Sequence, residues 1–169
     1  VLGSETLRTS IQTDGTYHHY ALSYEASTGT MKIIEDDTTL EEQNVTLNLN
    51  FSSNQTLTVG GENFRGNVHD LRLWKKSVSR EDAVAFMNKI LNGNENNLIG
   101  YWPMNEGFGS IAYDLSRSKH LELSNLNWDI FPKSTSYSFN GSNYLRLNEA
   151  SRAVVTPQQD VTLSFWFKT

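Results

Sequence analysis

The stretch LIGYWPMNEGFGSIAYDLS, residues 98 to 116, gathers Trp102, Asn105, Glu106 and Asp114 among glycines and aromatics. Two carboxyl groups facing one glycosidic bond are the machinery of sugar-chain hydrolysis. Glu106 and Asp114 are the pair this stretch offers. The other acidic cluster, Glu35, Asp36 and Asp37, is consecutive. On a strand its side chains would alternate between faces, so it reads as a solvated turn after TMKII. His18 and His19 are neighbours on an expected strand, which turns them to opposite sides and prevents simple chelation of one ion, while His69 and His120 stand alone. None of these sets has the partners or spacing of a catalytic centre, and the chain reads as non-catalytic.

Binding chemistry is better supplied. A sugar ring stacks its C–H face on an aromatic ring while polar neighbours take its hydroxyls. In VTLSFWFK (161 to 168), Val161, Leu163, Phe165 and Phe167 share one face, leaving Trp166 opposite them with Thr162, Ser164 and Lys168. In VHDLRLW (68 to 74), Trp74 falls with Asp70 and Arg72, opposite Leu71 and Leu73. Trp166, Trp74 and Arg72 are therefore the candidate ligand-binding residues on a concave sheet face. Burial beneath a helix or loop is the competing fate of both tryptophans. Trp102 and Trp128 belong to segments that read as packing. Asn44, Asn54 and Asn140 head N-x-[ST] sequons, which matter if the host glycosylates the protein.

Strands must position these residues. Period-two alternation is clearest in NVTLNLNF (44 to 51), and similar runs occur at 17 to 24, 30 to 34, 55 to 60, 68 to 74, 98 to 102, 120 to 124, 136 to 141, 144 to 147 and 161 to 168. Many short strands joined by polar turns predict an all-β antiparallel sandwich. One helix interrupts them near 79 to 92, where Ala83, Phe86, Met87, Ile90 and Leu91 recur at helical spacing. Ser79 and Asp82 open that helix and Gly93 is placed to end it. The polar run NGNENN (92 to 97) is the best internal boundary, dividing the chain near residue 94.

Composition narrows the partners. The chain has 169 residues, one domain's worth, with 14 Lys and Arg against 19 Asp and Glu for a net charge of -5. That balance disfavours nucleic acid. No apolar run approaches the roughly 20 residues that span a bilayer, so no membrane insertion is expected in this segment. There is no cysteine, and the fold must rest on packing and hydrogen bonds.

Three stretches resemble one family. FRGNVHDLRLWKKSVSRED (64 to 82) resembles the closing strand and helix start of LamG-like jelly-roll domains, of the concanavalin A-like lectin and glucanase superfamily. NLIGYWPMNEGFGSIAYDLSRSKHLEL (97 to 123), with SFNGSNYLRL (138 to 147) and VTLSFWFKT (161 to 169), resembles the opening of such a domain. DGTYHHYALSYEASTGTMKI (14 to 33) resembles its middle, with Tyr17 where the family more often has Trp. The family's glucanases carry alternating acids on one strand, and no E-x-D-x-x-E pattern occurs here. The resemblance implies that Asp114 ties a turn after the first strand or, with Asp70 and a carbonyl, joins a structural calcium site.

The order is out of phase with the family. Residues 1–93 resemble the middle and C-terminal part of a module, and residues 94–169 the N-terminal part. Two accounts fit: a segment cut from a tandem array, or one closed, permuted sandwich in which VTLSFWFK pairs within the sheets of the first half. The resemblance implies a carbohydrate-binding or adhesion module at the cell surface or outside the cell. Its partners would be a glycan or surface protein and neighbouring modules of the same parent. A glycoside hydrolase, an accessory segment of one, and a purely structural spacer are the alternatives.

Overall fold

The computed structural model describes residues 7–45, 58–116, 120–124, 127–131, 134–147 and 159–169. Among these, twelve strands and one helix follow in the order β1 (His18–Glu25), β2 (Thr30–Glu35), β3 (Thr38–Asn44), β4 (Thr58–Gly60), β5 (Arg65–Trp74), α1 (Arg80–Met87), β6 (Leu98–Trp102), β7 (Ile111–Ala112), β8 (Leu121–Ser124), β9 (Asn127–Phe131), β10 (Ser134–Asn140), β11 (Tyr144–Leu147) and β12 (Val161–Lys168). They form two sheets, one ordered β3-β2-β1-β12-β5-β10-β9 with β6 also on β5, the other β4-β11-β8-β7. Every pair of these strands is antiparallel. The protein is an all-β sandwich.

The core lies between the sheets. Val59, Ala112, Leu121 and Leu145 of the smaller sheet meet Val68, Leu71, Leu73, Tyr137, Phe139, Phe165 and Phe167 of the larger, with Trp102 and Met104 fully enclosed. Each large side chain so buried contributes about 1.5–3 kcal/mol. LIGYW behaves as its alternation requires: Trp102 enters this core, and Tyr101 turns to the other face with Trp74 and Leu91.

The last strand sits inside the sheet. β12 pairs with β1 from His18↔Phe167 to Tyr24↔Val161, and with β5 from Thr162↔Trp74 to Lys168↔Asn67. Strands from both sides of residue 94 therefore share one sheet and one core. β5 is the hub, since its first half also pairs with β10 and its second half with β6. Asp70 marks the changeover, with φ 54 and its N–H donating to Pro103 O at 3.2 Å. Asp is one of the few residue types that enters this region readily.

Close approach of β12 to β5 requires a glycine. At Gly66, φ is 139, and a Cβ would come within 2.2 Å of the Lys168 carbonyl. Gly66→Ala is expected to cost at least about 2 kcal/mol through backbone strain and steric overlap, read as a lower urea midpoint. An unchanged midpoint would show that the two strands are not in this contact.

Helix α1 begins where the sequence predicts and ends early. The Ser79 hydroxyl accepts from Asp82 N, and the Asp82 side chain accepts in return from the Ser79 backbone. The helix stops at Met87, where Phe86 O accepts from Lys89 N at 3.0 Å and from the Arg72 guanidinium, rising from β5, at 2.6 Å; Arg72 also donates to Lys89 O at 2.9 Å. Leu91 still packs inward, but Ile90, expected on the apolar face, is 93% exposed.

Other sequence expectations shift. Residues 46–51 of NVTLNLNF lie outside the described residues, as does Asn54; Val45 is buried against Tyr24. The neighbouring segment TTLEEQN forms edge strand β3, almost wholly exposed and carrying Glu41 and Glu42, charges that discourage edge-to-edge pairing. Glu35 is no solvated turn residue. It ends β2, is buried, and accepts a hydrogen bond from the Tyr20 hydroxyl. Asp36 makes the turn, with φ 51.

Candidate functional site

The face of the large sheet turned away from the core divides in two. α1 and the segment after it cover the part that holds Ala21, Arg72 and Trp74. Strand parity did set Arg72 and Trp74 on one side, as expected, but neither offers a ligand a surface. Arg72 is 1% exposed, and its Nε and Nη2 donate to the two oxygens of Asp70 at 2.6 and 2.7 Å. Trp74 is 3% exposed beneath Phe86, with the Lys76 ammonium 5.1 Å from its ring centroid.

Beyond the end of α1 the face opens. Trp166 is half-buried, its Nε1–H donating to Met87 O at 3.2 Å. His69 lies parallel to it, ring centroids 6.1 Å apart, and Tyr17 meets His69 edge-on at 4.7 Å. The Lys168 ammonium sits 5.1 Å from the Tyr17 centroid. Tyr17, His69, Trp166 and Lys168 are all partly exposed. A polar row adjoins them: Tyr17 donates to Ser136 Oγ at 3.0 Å, and Asn67 Nδ2 donates to Asp129 and Ser136. This patch brings together partly exposed aromatic rings, a cation and a carboxylate with the amide of the buried Asn67.

The patch is positioned by sheet pairing. His19↔Trp166 and Trp166↔His69 are cross-strand partners, and Tyr17 precedes β1 on the side of His19. His69 is thereby set against Trp166 and Tyr17, and His120 Nδ1 accepts from Asp114 N at 3.1 Å, its ring meeting Tyr113. His19 is 3% exposed, and neither ring nitrogen has a hydrogen-bond partner among the described residues. Burial holds its pKa down to about 4, with the Arg72 charge adding to the effect. Burial also lowers that of His69.

Two of the acidic candidates, Asp114 and Glu106, serve the backbone. Asp114 Oδ1 accepts from Tyr101 N at 2.9 Å and Ser116 N at 2.8 Å, and its Oδ2 from Ser116 Oγ at 2.9 Å. That is an Asx turn tying the strand LIGYW to the chain after β7. Glu106 Oε1 accepts from Tyr113 N at 2.8 Å. Its Oε2 and the Tyr137 hydroxyl are buried without partners among the described residues, and burial and the Glu106 charge raise the Tyr137 pKa. Asp70 has both oxygens on Arg72. Among the described residues no three His, Asp or Glu side chains gather as metal ligands. The sequon residues Asn44 and Asn140 are exposed at the ends of β3 and β10.

A concavity of about 240 Å³ lies between β1, β2 and the start of α1, lined by Ser23, Glu25, Thr30, Lys32, Ser79 and Asp82 among others. It has no aromatic wall, and Ser23 Oγ is engaged by Val78 N and Thr162 Oγ1. It lacks the platform that the Trp166 patch has.

Set against known protein families, curated proteins and solved structures, the chain matches none of them.

Proposed function

We propose that the protein is a non-catalytic binding module of the LamG-like kind, part of a larger extracellular or surface protein, and that it takes a glycan on the open end of the large sheet. The supporting observation is the Tyr17, His69 and Trp166 cluster, with Lys168, Asn67 and Asp129 beside it. Rings offer C–H stacking, and the polar groups offer donors and acceptors for hydroxyls. Trp166 is the one sequence candidate in this patch. Trp74 and Arg72 hold the helix instead, and a structural calcium would have to compete with Arg72 for Asp70.

A glycan array followed by titration tests this reading. Tyr17→Ala and Trp166→Ala are each expected to weaken binding about tenfold or more, a loss of about 1.4 kcal/mol, with the far-ultraviolet spectrum unchanged. Val84→Ala, on the exposed side of α1, is expected to bind as the wild type does. Silence across the array, or binding indifferent to both aromatic variants, would sink the proposal, and silence would favour the spacer.

A further inference from the structure

His18 and His19 are adjacent on β1, and the chemistry around them is opposed. His19 is enclosed on the outer face, whereas His18 sits at the strand's start between two carboxylates from different turns. Its Nδ1 lies 2.7 Å from Asp36 Oδ2, in the turn between β2 and β3. Its Nε2 lies 3.2 Å from both oxygens of Asp14 and 3.1 Å from Thr16 Oγ1, in the turn before β1. Each carboxylate also holds backbone. Asp14 Oδ1 accepts from Thr16 N at 2.8 Å, and Asp36 Oδ1 from His19 N at 2.8 Å.

A neutral imidazole carries one N–H, and only the imidazolium can donate from both nitrogens. With one proton, a lone pair on one nitrogen faces a carboxylate. The shorter hydrogen bond, to Asp36, keeps the proton, so deprotonation breaks the bond to Asp14. The Asp14 bond ties down the turn leading directly into Tyr17, a wall of the proposed binding face.

We propose that His18 is a proton-operated latch: when charged it clasps the Asp14 and Asp36 turns together and holds Tyr17 against His69, and when neutral it releases the Asp14 turn and loosens that wall. As regulation of binding, this rests on the glycan-face reading; as a motion of Tyr17 it stands alone.

Among the described residues the charged groups that face His18 are Asp14 and Asp36, and its cross-strand partner on β12 is the apolar Phe167. Lys168 lies over the Tyr17 ring on the other face of the strand. Hydrogen bonding to Asp36 raises the His18 pKa above its ordinary 6.5; burial opposes it, and hydrogen bonding to Asp14 adds a lesser rise. Asp14 is held below the usual carboxylate range, chiefly by the Thr16 N–H and hydroxyl. The latch is therefore shut at and below pH 6.5 and opens as pH rises through the raised value.

The test is a pH titration of the isotopically labelled full chain by NMR, with no sugar present, so its result is independent of whether the face binds one. The His18 ring signal is expected to turn over above pH 6.5, with the Thr16 and Tyr17 amides moving in the same transition and the Tyr17–His69 ring cross-peak fading. Asp36→Asn is expected to move that transition down. Asp14→Asn is expected to remove the Tyr17 response while leaving a His18 transition. A His18 turnover at or below 6.5, or Tyr17 signals that ignore it, would overturn the latch. If Tyr17 responds but glycan affinity is equal on both sides of the transition, the regulatory part fails alone.

Discussion

Asp70→Asn is expected to lower the unfolding free energy by about 3 kcal/mol or more, because it leaves the Arg72 cation buried without its counter-charge. Arg72 is 1% exposed, and of its four hydrogen bonds two go to Asp70 and two to the carbonyls of Phe86 and Lys89. Asparagine tolerates the positive φ of position 70, so the substitution removes charge without adding strain. The end of α1 hangs on the same guanidinium, and Trp166 on the neighbouring Met87 carbonyl, so tryptophan emission is expected to shift red as the structure loosens. Adding Arg72→Met to Asp70→Asn should restore part of the stability, since removing both charges leaves neither unpaired. A decrease below about 1 kcal/mol, the range of exposed ion pairs, would show the pair to be solvated.

His19→Phe is expected to flatten the acid limb of the stability profile by about 3 kcal/mol between pH 6.5 and 4. In the fold, burial and then the Arg72 charge hold the His19 pKa at about 4, against an ordinary value of 6.5. Between those limits the unfolded chain takes up a proton that the folded chain refuses. Stability from this group is thus complete above 6.5 and falls as pH drops through the window. Phenylalanine keeps the edge contact with Trp166, now 5.4 Å between centroids, and removes two buried nitrogens that lack partners among the described residues. Stability at pH 7 should therefore hold or rise. His18 acts in the opposite sense, contributing fully below 6.5 and losing its contribution as pH rises through its raised value. Urea titrations at stepped pH check both, and a His19→Phe profile as steep as the wild type's would refute the assignment.

Local patterns in the sequence predicted which residues share a face, and distant pairings decided what those faces meet. Alternation in VTLSFWFK and VHDLRLW set Trp166, Trp74 and Arg72 opposite the core, and they lie there. The helix that crosses that face was visible as a helix, but its placement over Trp74 depends on contacts between Phe86, Leu91 and β5. Its true end was hidden because apolar spacing continues to Leu91, whereas the carbonyls are taken by an arginine from another element. Asp114 was legible because an Asx turn is local. The union of Tyr17, His69 and Trp166 was not, since it needs the registers of β1, β12 and β5. Polar β3 offered no alternation to read.

That union depends on one topological fact, the insertion of β12 between β1 and β5 of the same chain. Without it Trp166 and Lys168 would not meet Tyr17 and His69, and the proposed binding face would not form. The chain has no cysteine, so a designed pair reports cleanly. Leu22 and Leu163 are direct cross-strand partners, and both are at least partly exposed. In the Leu22→Cys/Leu163→Cys variant, mild oxidation of dilute protein is expected to give a monomer with an intrachain disulfide, seen as faster migration without reductant and a mass lower by two hydrogens. Disulfide-linked dimers, as an exchange of β12 between chains would produce, or two free thiols in folded protein, would contradict the closed sandwich.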